Sequence, residues 1–183
     1  MTFSEFTIIQ DCIANKEAVI AQINALSRPE KVCGVEVPSD LSKIEIWQLL
    51  ALKHITEENA YTLPAHVLLN VNEREIANEK AEIVLGFTNF VAEQLQAIWK
   101  KWEECSVPPT AEERKAGVEK LDFGDFGLID WYARRMGITK HEEAEHTPWV
   151  IVWQCKRNDA IVTQYERRLQ KVYEQKHRKR WGK

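Results

Sequence analysis

The sequence predicts an all-α fold: a multi-helix bundle with at most one short β-hairpin near residues 31–38. Three observations carry this. Helix-start pairs recur along the chain, apolar residues return at three- and four-residue intervals, and the one β-like stretch is short. Thr2 with Glu5 is a capping box, followed by Phe3, Phe6, Ile9 and Ile13 at helical spacing. Asn15 is placed to cap a second helix carrying Val19, Ile20, Ile23 and Leu26, which Arg28-Pro29 stops. Val32, Val35 and Val37 around Gly34 and Pro38 form the stretch that reads as a hairpin.

A helix is expected from Ser42, with Ile46, Leu49, Leu50 and Ile55 on its apolar face. Thr62 and Pro64 open the next, a hydroxyl cap and then proline in the first turn. A long helical stretch runs from about Asn72 to Glu104, with a break expected at Gly86. Thr110 with Glu113 forms a capping box for a helix reaching about Leu121. Two glycine turns in Asp122-Phe123-Gly124 and Asp125-Phe126-Gly127 are expected to bury both phenylalanines before a helix from Leu128 to Met136. Gly137 is placed to end that helix in a left-handed cap. Thr139 with Glu142 is a further capping box, and Thr147-Pro148 starts the last helical run. In that run a break is expected near Asn158-Asp159, and Trp149, Val152, Trp153, Ile161, Tyr165, Leu169 and Val172 are read as one buried face. The segment Ser106-Val107-Pro108-Pro109 reads as a linker. It separates an N-terminal helical region, 1–105, from a C-terminal region, 110–183, with one continuous domain as the alternative.

The composition suits a folded, water-facing protein: 183 residues, 44% hydrophobic, 29% charged, formal net charge −3. No apolar run approaches the roughly 18–20 residues a membrane helix needs, and no secretory leader is read at the start. Cys12, Cys33, Cys105 and Cys155 are scattered, which argues against a disulfide framework or zinc knuckle and fits a reducing cytoplasm. His141 and His146 stand five apart where a zinc helix needs four, so no metal is expected there. The two Asp-Phe-Gly triplets come without a phosphate loop or catalytic loop, which excludes a kinase. Ala133 to Thr139 has the look of a helix-turn-helix centre, but the acidic Glu142, Glu143 and Glu145 that follow would repel DNA. No nucleophile is set up beside a base, so neither an enzyme nor a cofactor is expected.

Two features point to binding. From Tyr165 to Lys183 there are eight basic residues against two acidic ones, leaving −9 for the rest of the chain. That run makes Lys176, Arg178, Lys179 and Arg180 candidate nucleic-acid contacts. A solvated helix end, or docking on an acidic surface of another copy, are the competing readings. The chain also holds seven tryptophans, mostly expected in the core, with one or two left for a protein partner.

Two stretches resemble bacteriophage tail assembly chaperones and related tail-morphogenesis proteins. The first is Val35 to Leu49, VEVPSDLSKIEIWQL, an apolar strand leading through proline into a helix. The second runs from Thr110 to about Lys171 and contains LDFGDFGLIDWYARRMGI, an acidic turn, TPWVIVWQ and YERRLQKVY. The resemblance implies a non-enzymatic helper in the host cytoplasm that coats a long helical tape-measure protein, alone or with copies of itself. A structural virion component, such as a connector or minor tail protein, is the alternative. On that reading the partner contacts are placed at Trp131, Tyr132, Trp149 and Trp153, with Arg134 and Arg135 beside them.

Overall fold

The structure is a computed structural model that describes residues 1–9 and 15–181. Cys12 and Ile13 lie outside the described residues, as do the side chains of Arg178, Lys179, Arg180 and Trp181. The chain is 67% helical, with one two-stranded antiparallel sheet, so the all-α reading and its short hairpin both hold. It divides into two compact units, Met1–Trp99 and Lys100–Lys183. The boundary therefore lies inside a helix, upstream of the Pro108-Pro109 pair.

In the first unit, α1 (Phe3–Ile9) starts on the expected capping box: Thr2 N–H donates to Glu5 Oε2 at 2.9 Å and Glu5 N–H to Thr2 Oγ1 at 3.3 Å. Asn15 caps α2 (Lys16–Asn24) through the Ala18 N–H at 3.1 Å. Strands β1 (Lys31–Val32) and β2 (Val35–Glu36) pair Lys31 with Glu36 and Val32 with Val35. Their two-residue turn needs positive φ at both positions, and Cys33 (51°) and Gly34 (82°) supply it.

Helix α3 (Ile46–Leu52) begins four residues later than the sequence predicts. Asp40 Oδ1 accepts the Ser42 N–H at 2.7 Å, and this local turn holds Ser42 out of the helix. The helix opens instead with Gln48 Oε1 accepting the Glu45 N–H at 3.0 Å. Helix α4 (Thr62–Leu69) contains Thr62 in its first turn, so that hydroxyl is not its cap, and Asn70 ends it at φ 55°. Gln48 Nε2 donates to Val67 O at 3.0 Å and ties α3 to α4.

The predicted long helix is broken, but not at Gly86. Helix α5 (Glu73–Asn78) ends at an extended Glu79, and α6 (Ala81–Glu103) runs unbroken through the glycine. Gly86 answers to packing: a Cβ there would lie 2.7 Å from the Ser27 carbonyl oxygen. The core of this unit includes Leu41, Ile46, Leu49, Ile76, Val84, Phe87 and Val91, all at or below 1% exposure.

In the second unit, the end of α6 leads to buried Cys105. The Thr110–Glu113 box starts α7 (Ala111–Lys115), with N–H bonds of 2.6 and 3.2 Å. Gly117, at φ 86°, stops α7 before the expected Leu121, and a short 3-10 turn follows at Val118–Lys120. Helix α8 (Gly124–Met136) takes in the second Asp-Phe-Gly triplet, so it starts earlier than predicted. Gly137 ends α8 as expected, at φ 69°, with the Ile138 N–H returning to Ala133 O at 2.9 Å. Helix α9 (His141–Glu145) is capped by Lys140, which offers no side-chain bond, so the Thr139–Glu142 box is not formed. Helix α10 (Trp149–Trp181) is 33 residues long and continuous across Asn158-Asp159.

Replacing Gly86 by alanine tests the close approach. Alanine at an open helical site stabilises by roughly 0.5–1 kcal/mol. Here overpacking against backbone is expected to destabilise by about 1–3 kcal/mol in urea unfolding. A stabilised variant would contradict the tight contact with Ser27.

Candidate partner-binding surface

The six residues proposed for partner contact come from α8 and α10, and the second unit does bring these helices together. It treats the residues differently. Tyr132 is 3% and Trp149 2% exposed. Both are core side chains of this unit and offer a partner no surface. Trp131 and Trp153 are half-buried. The Trp131 ring lies under Lys156 Nζ at 4.7 Å, and the Trp153 ring is flanked by the Arg157 guanidinium at 5.7 Å. Trp153 Nε1 also donates to Lys101 O at 3.0 Å, fixing α10 to the end of α6.

Arg134 and Arg135 are exposed but already paired. Arg134 bonds Asp130 one turn earlier, and Arg135 Nη2 reaches Asp159 Oδ1 of α10 at 2.9 Å. Asp130 also meets His141 Nε2 at 3.1 Å, which links α8 to α9. Arg135 thus ties α8 to α10, Asp130 ties α8 to α9, and Arg134 braces Asp130 within α8.

An accessible apolar cluster lies elsewhere, and it includes two phenylalanines that the sequence reading assigned to the core. Leu121, Phe123 and Phe126, within six residues at the start of α8, are 64%, 71% and 59% exposed. The expectation that glycine turns bury the two phenylalanines is overturned. Gly124 adopts φ 56°, its N–H bonds Asp122 Oδ1 at 2.8 Å, and α8 begins at once. Phe123 is thereby left outside the helix, and Phe126 has the His141 ring beside it, at 5.0 Å. The usable signal was the density of large apolar side chains among aspartates in a stretch with no helical period.

Helix α10 also departs from the one-face reading. Trp149, Val152 and Ala160 pack into the unit, at 2%, 0% and 7% exposure. Tyr165 follows Trp149 by sixteen positions, which at 3.6 residues per turn is about 160° around the helix. Ile161, Val162, Tyr165 and Val172 accordingly lie on the opposite side and are exposed. Lys176 is exposed in the last described turns. Arg167 anchors the helix midway: Nη1 donates to Pro108 O at 2.7 Å and Nη2 to Glu113 at 2.9 and 3.0 Å.

Among the described residues no group of three or more His, Cys, Asp or Glu side chains is placed to hold a metal ion. No described helix is long and apolar enough to cross a membrane. Cys33, the most loop-like thiol, is a poor nucleophile: burial first, then the charges of Glu79 and Glu75, push it up to about 11. Comparison with protein families, with curated proteins and with solved structures finds no match to this chain.

Two titrations check these assignments. Alkylation at Cys33, mapped by mass spectrometry, is expected to stay slow at pH 8 and to rise as pH approaches about 11. Rapid labelling at pH 7 would contradict that environment. The Glu113 carboxyl is held below 4.5, first by the Thr110 N–H and then by Arg167. A carboxyl lowered in the folded state adds stability that is present above 4.5 and lost as pH falls through the lowered value. Arg167→Ala is expected to raise the Glu113 value part of the way back, read by carboxyl NMR, because the Thr110 bond remains.

Proposed function

We propose that the chain is a non-enzymatic bacteriophage assembly factor, a tail assembly chaperone acting in the host cytoplasm on a long helical tape-measure-type protein. The observation that carries this reading is the exposed apolar cluster of Leu121, Phe123 and Phe126 at the start of α8. It lies within the longer of the two stretches that resemble tail-morphogenesis proteins. Aromatic side chains presented on a rigid helix start are the anchors that dominate protein interfaces. A tape-measure helix exposes apolar faces along its length and aggregates if they stay uncovered. A helper with a small aromatic contact serves such a partner well, because many weak copies along one helix add up by avidity.

The cluster moves the proposed contact from buried Tyr132 and Trp149 to the start of α8. Half-buried Trp131 lies five positions on, about 140° around α8 from Phe126, with Lys156 over its ring. Asp122 and Asp125 stand between the apolar residues. A basic-flanked apolar helix is therefore the partner chemistry this cluster suits.

The test is co-expression with the tape-measure protein of the same phage. The full chain is expected to keep that protein soluble and to co-purify with it. The Phe123→Ser, Phe126→Ser double variant should bind on the order of tenfold or more weaker with unchanged helical content. No complex with any tail protein, together with normal tails when the gene is deleted, would overturn the reading.

A further inference from the structure

Past Arg167, α10 carries a charge pattern that its packed length does not. From Gln170 to His177 every side chain is exposed, so the helix stands free around its whole circumference there. From Tyr165 to Lys183 the sequence holds eight basic residues and two acidic ones, +6 in all, while the rest of the chain carries −9. A polyanion is repelled by that remainder and attracted only to a segment that stands clear of it.

The charges are also sorted around the helix. At 3.6 residues per turn, Lys171 lies about 60° to one side of Arg168 and Lys176 about 80° to the other. All three are exposed. Glu166 and Glu174 fall outside that arc, about 160° and 120° from Arg168. Glu174 Oε1 accepts from Gln170 Nε2, on the same far side, at 3.2 Å. Inside the arc lie Val172, about 40° from Arg168, and Gln175, about 20° from it on the other side. Arg178, Lys179 and Arg180 follow in the same helix, which runs to Trp181.

We propose that this end of α10 enters the major groove of double-stranded DNA. That groove, about 12 Å wide, admits a single α-helix between two walls of phosphate. Cations spread over an arc of about 140° meet both walls at once, Lys171 on one and Lys176 on the other. Arg168, Val172 and Gln175 at the centre of the arc then face the base edges, where a guanidinium suits guanine, an amide suits adenine and an aliphatic side chain suits the thymine methyl. A flat acidic protein surface touches one side of a helix and leaves one of the flanking lysines unused. An anionic membrane needs an apolar side opposite the basic one, where this helix has Glu166, Gln170 and Glu174. An RNA duplex closes its deep, narrow major groove to side chains. The proposal is independent of the phage reading, since it requires only this chain and a duplex.

Fluorescence anisotropy of a labelled DNA duplex of mixed sequence, titrated with the full chain, tests it. With Arg168, Lys171, Lys176, Arg178, Lys179 and Arg180 engaged, affinity should fall on the order of a thousandfold between about 50 and about 200 mM salt. The Arg168→Gln, Lys171→Gln, Lys176→Gln triple variant should bind about tenfold or more weaker at low salt, with a salt slope flatter by about one per cation removed. Its circular dichroism should be unchanged, because all three side chains are exposed. The charge-keeping Arg168→Lys, Lys171→Arg, Lys176→Arg variant should retain the slope. Methyl green, which occupies the major groove, should displace the chain, and netropsin, which occupies the minor groove, should not. Absence of binding to the duplex at low salt would overturn the proposal. So would binding that the triple glutamine variant leaves unchanged, tighter binding to an RNA duplex or a single strand of the same sequence, displacement by netropsin alone, or equal competition by polyglutamate of the same total charge.

Discussion

One side of α10 organises the second unit, and most other contacts there refer to it. Trp149, Val152 and Ala160 enter the core of the unit. Polar contacts then fix the helix at intervals along its length: Trp153 to the Lys101 carbonyl, Asp159 to Arg135, and Arg167 to Pro108 and Glu113. None of the polar contacts is large alone, since ion pairs this exposed contribute about 0–1 kcal/mol each. Their value is positional. They set the rotation of α10 and thereby decide which side chains face out.

The first unit rests on a different constraint, the closeness of backbone to backbone. The Ser27 carbonyl approaches α6 where Gly86 has no side chain, and Asn89 Nδ2 donates to the Ile23 carbonyl at 2.5 Å one turn further along. Gln48 does similar work between α3 and α4. Short helices with few apolar residues of their own are thus held by side-chain amides that add a bond to carbonyls near helix ends.

Local chemistry made much of this legible in the sequence. Thr2–Glu5, Asn15 and Thr110–Glu113 each formed as read, because a cap draws on residues three apart, although Thr139–Glu142 at the same spacing did not, since α9 starts from Lys140. Gly137 and the Cys33-Gly34 turn were legible for the same reason. What misled was information from elsewhere in the fold. Gly86 reads as a helix breaker until Ser27 is brought beside it. Ser42 reads as a helix start until Asp40 claims its N–H. The seven apolar residues of α10 read as one face only if the count from Trp149 is not carried round the turns. The candidate surface was less legible still: Tyr132 and Trp149 are indistinguishable from Trp131 and Trp153 by residue type, and burial alone separates them.

The far end of α10 has a consequence for how the protein comes apart. Past Arg167 every described side chain from Gln170 to His177 is exposed, about two turns of helix. A helical segment without packing is marginal in water. Its amides should exchange with solvent through local fraying, while those near Val152 and Ala160 wait for the unit to open as a whole. One continuous helix thus spans two regimes of protection, divided near the Arg167 anchor. Whatever covers the outer turns converts the fraying segment into part of a cooperative structure, so amide protection past residue 170 is a native reporter of occupancy.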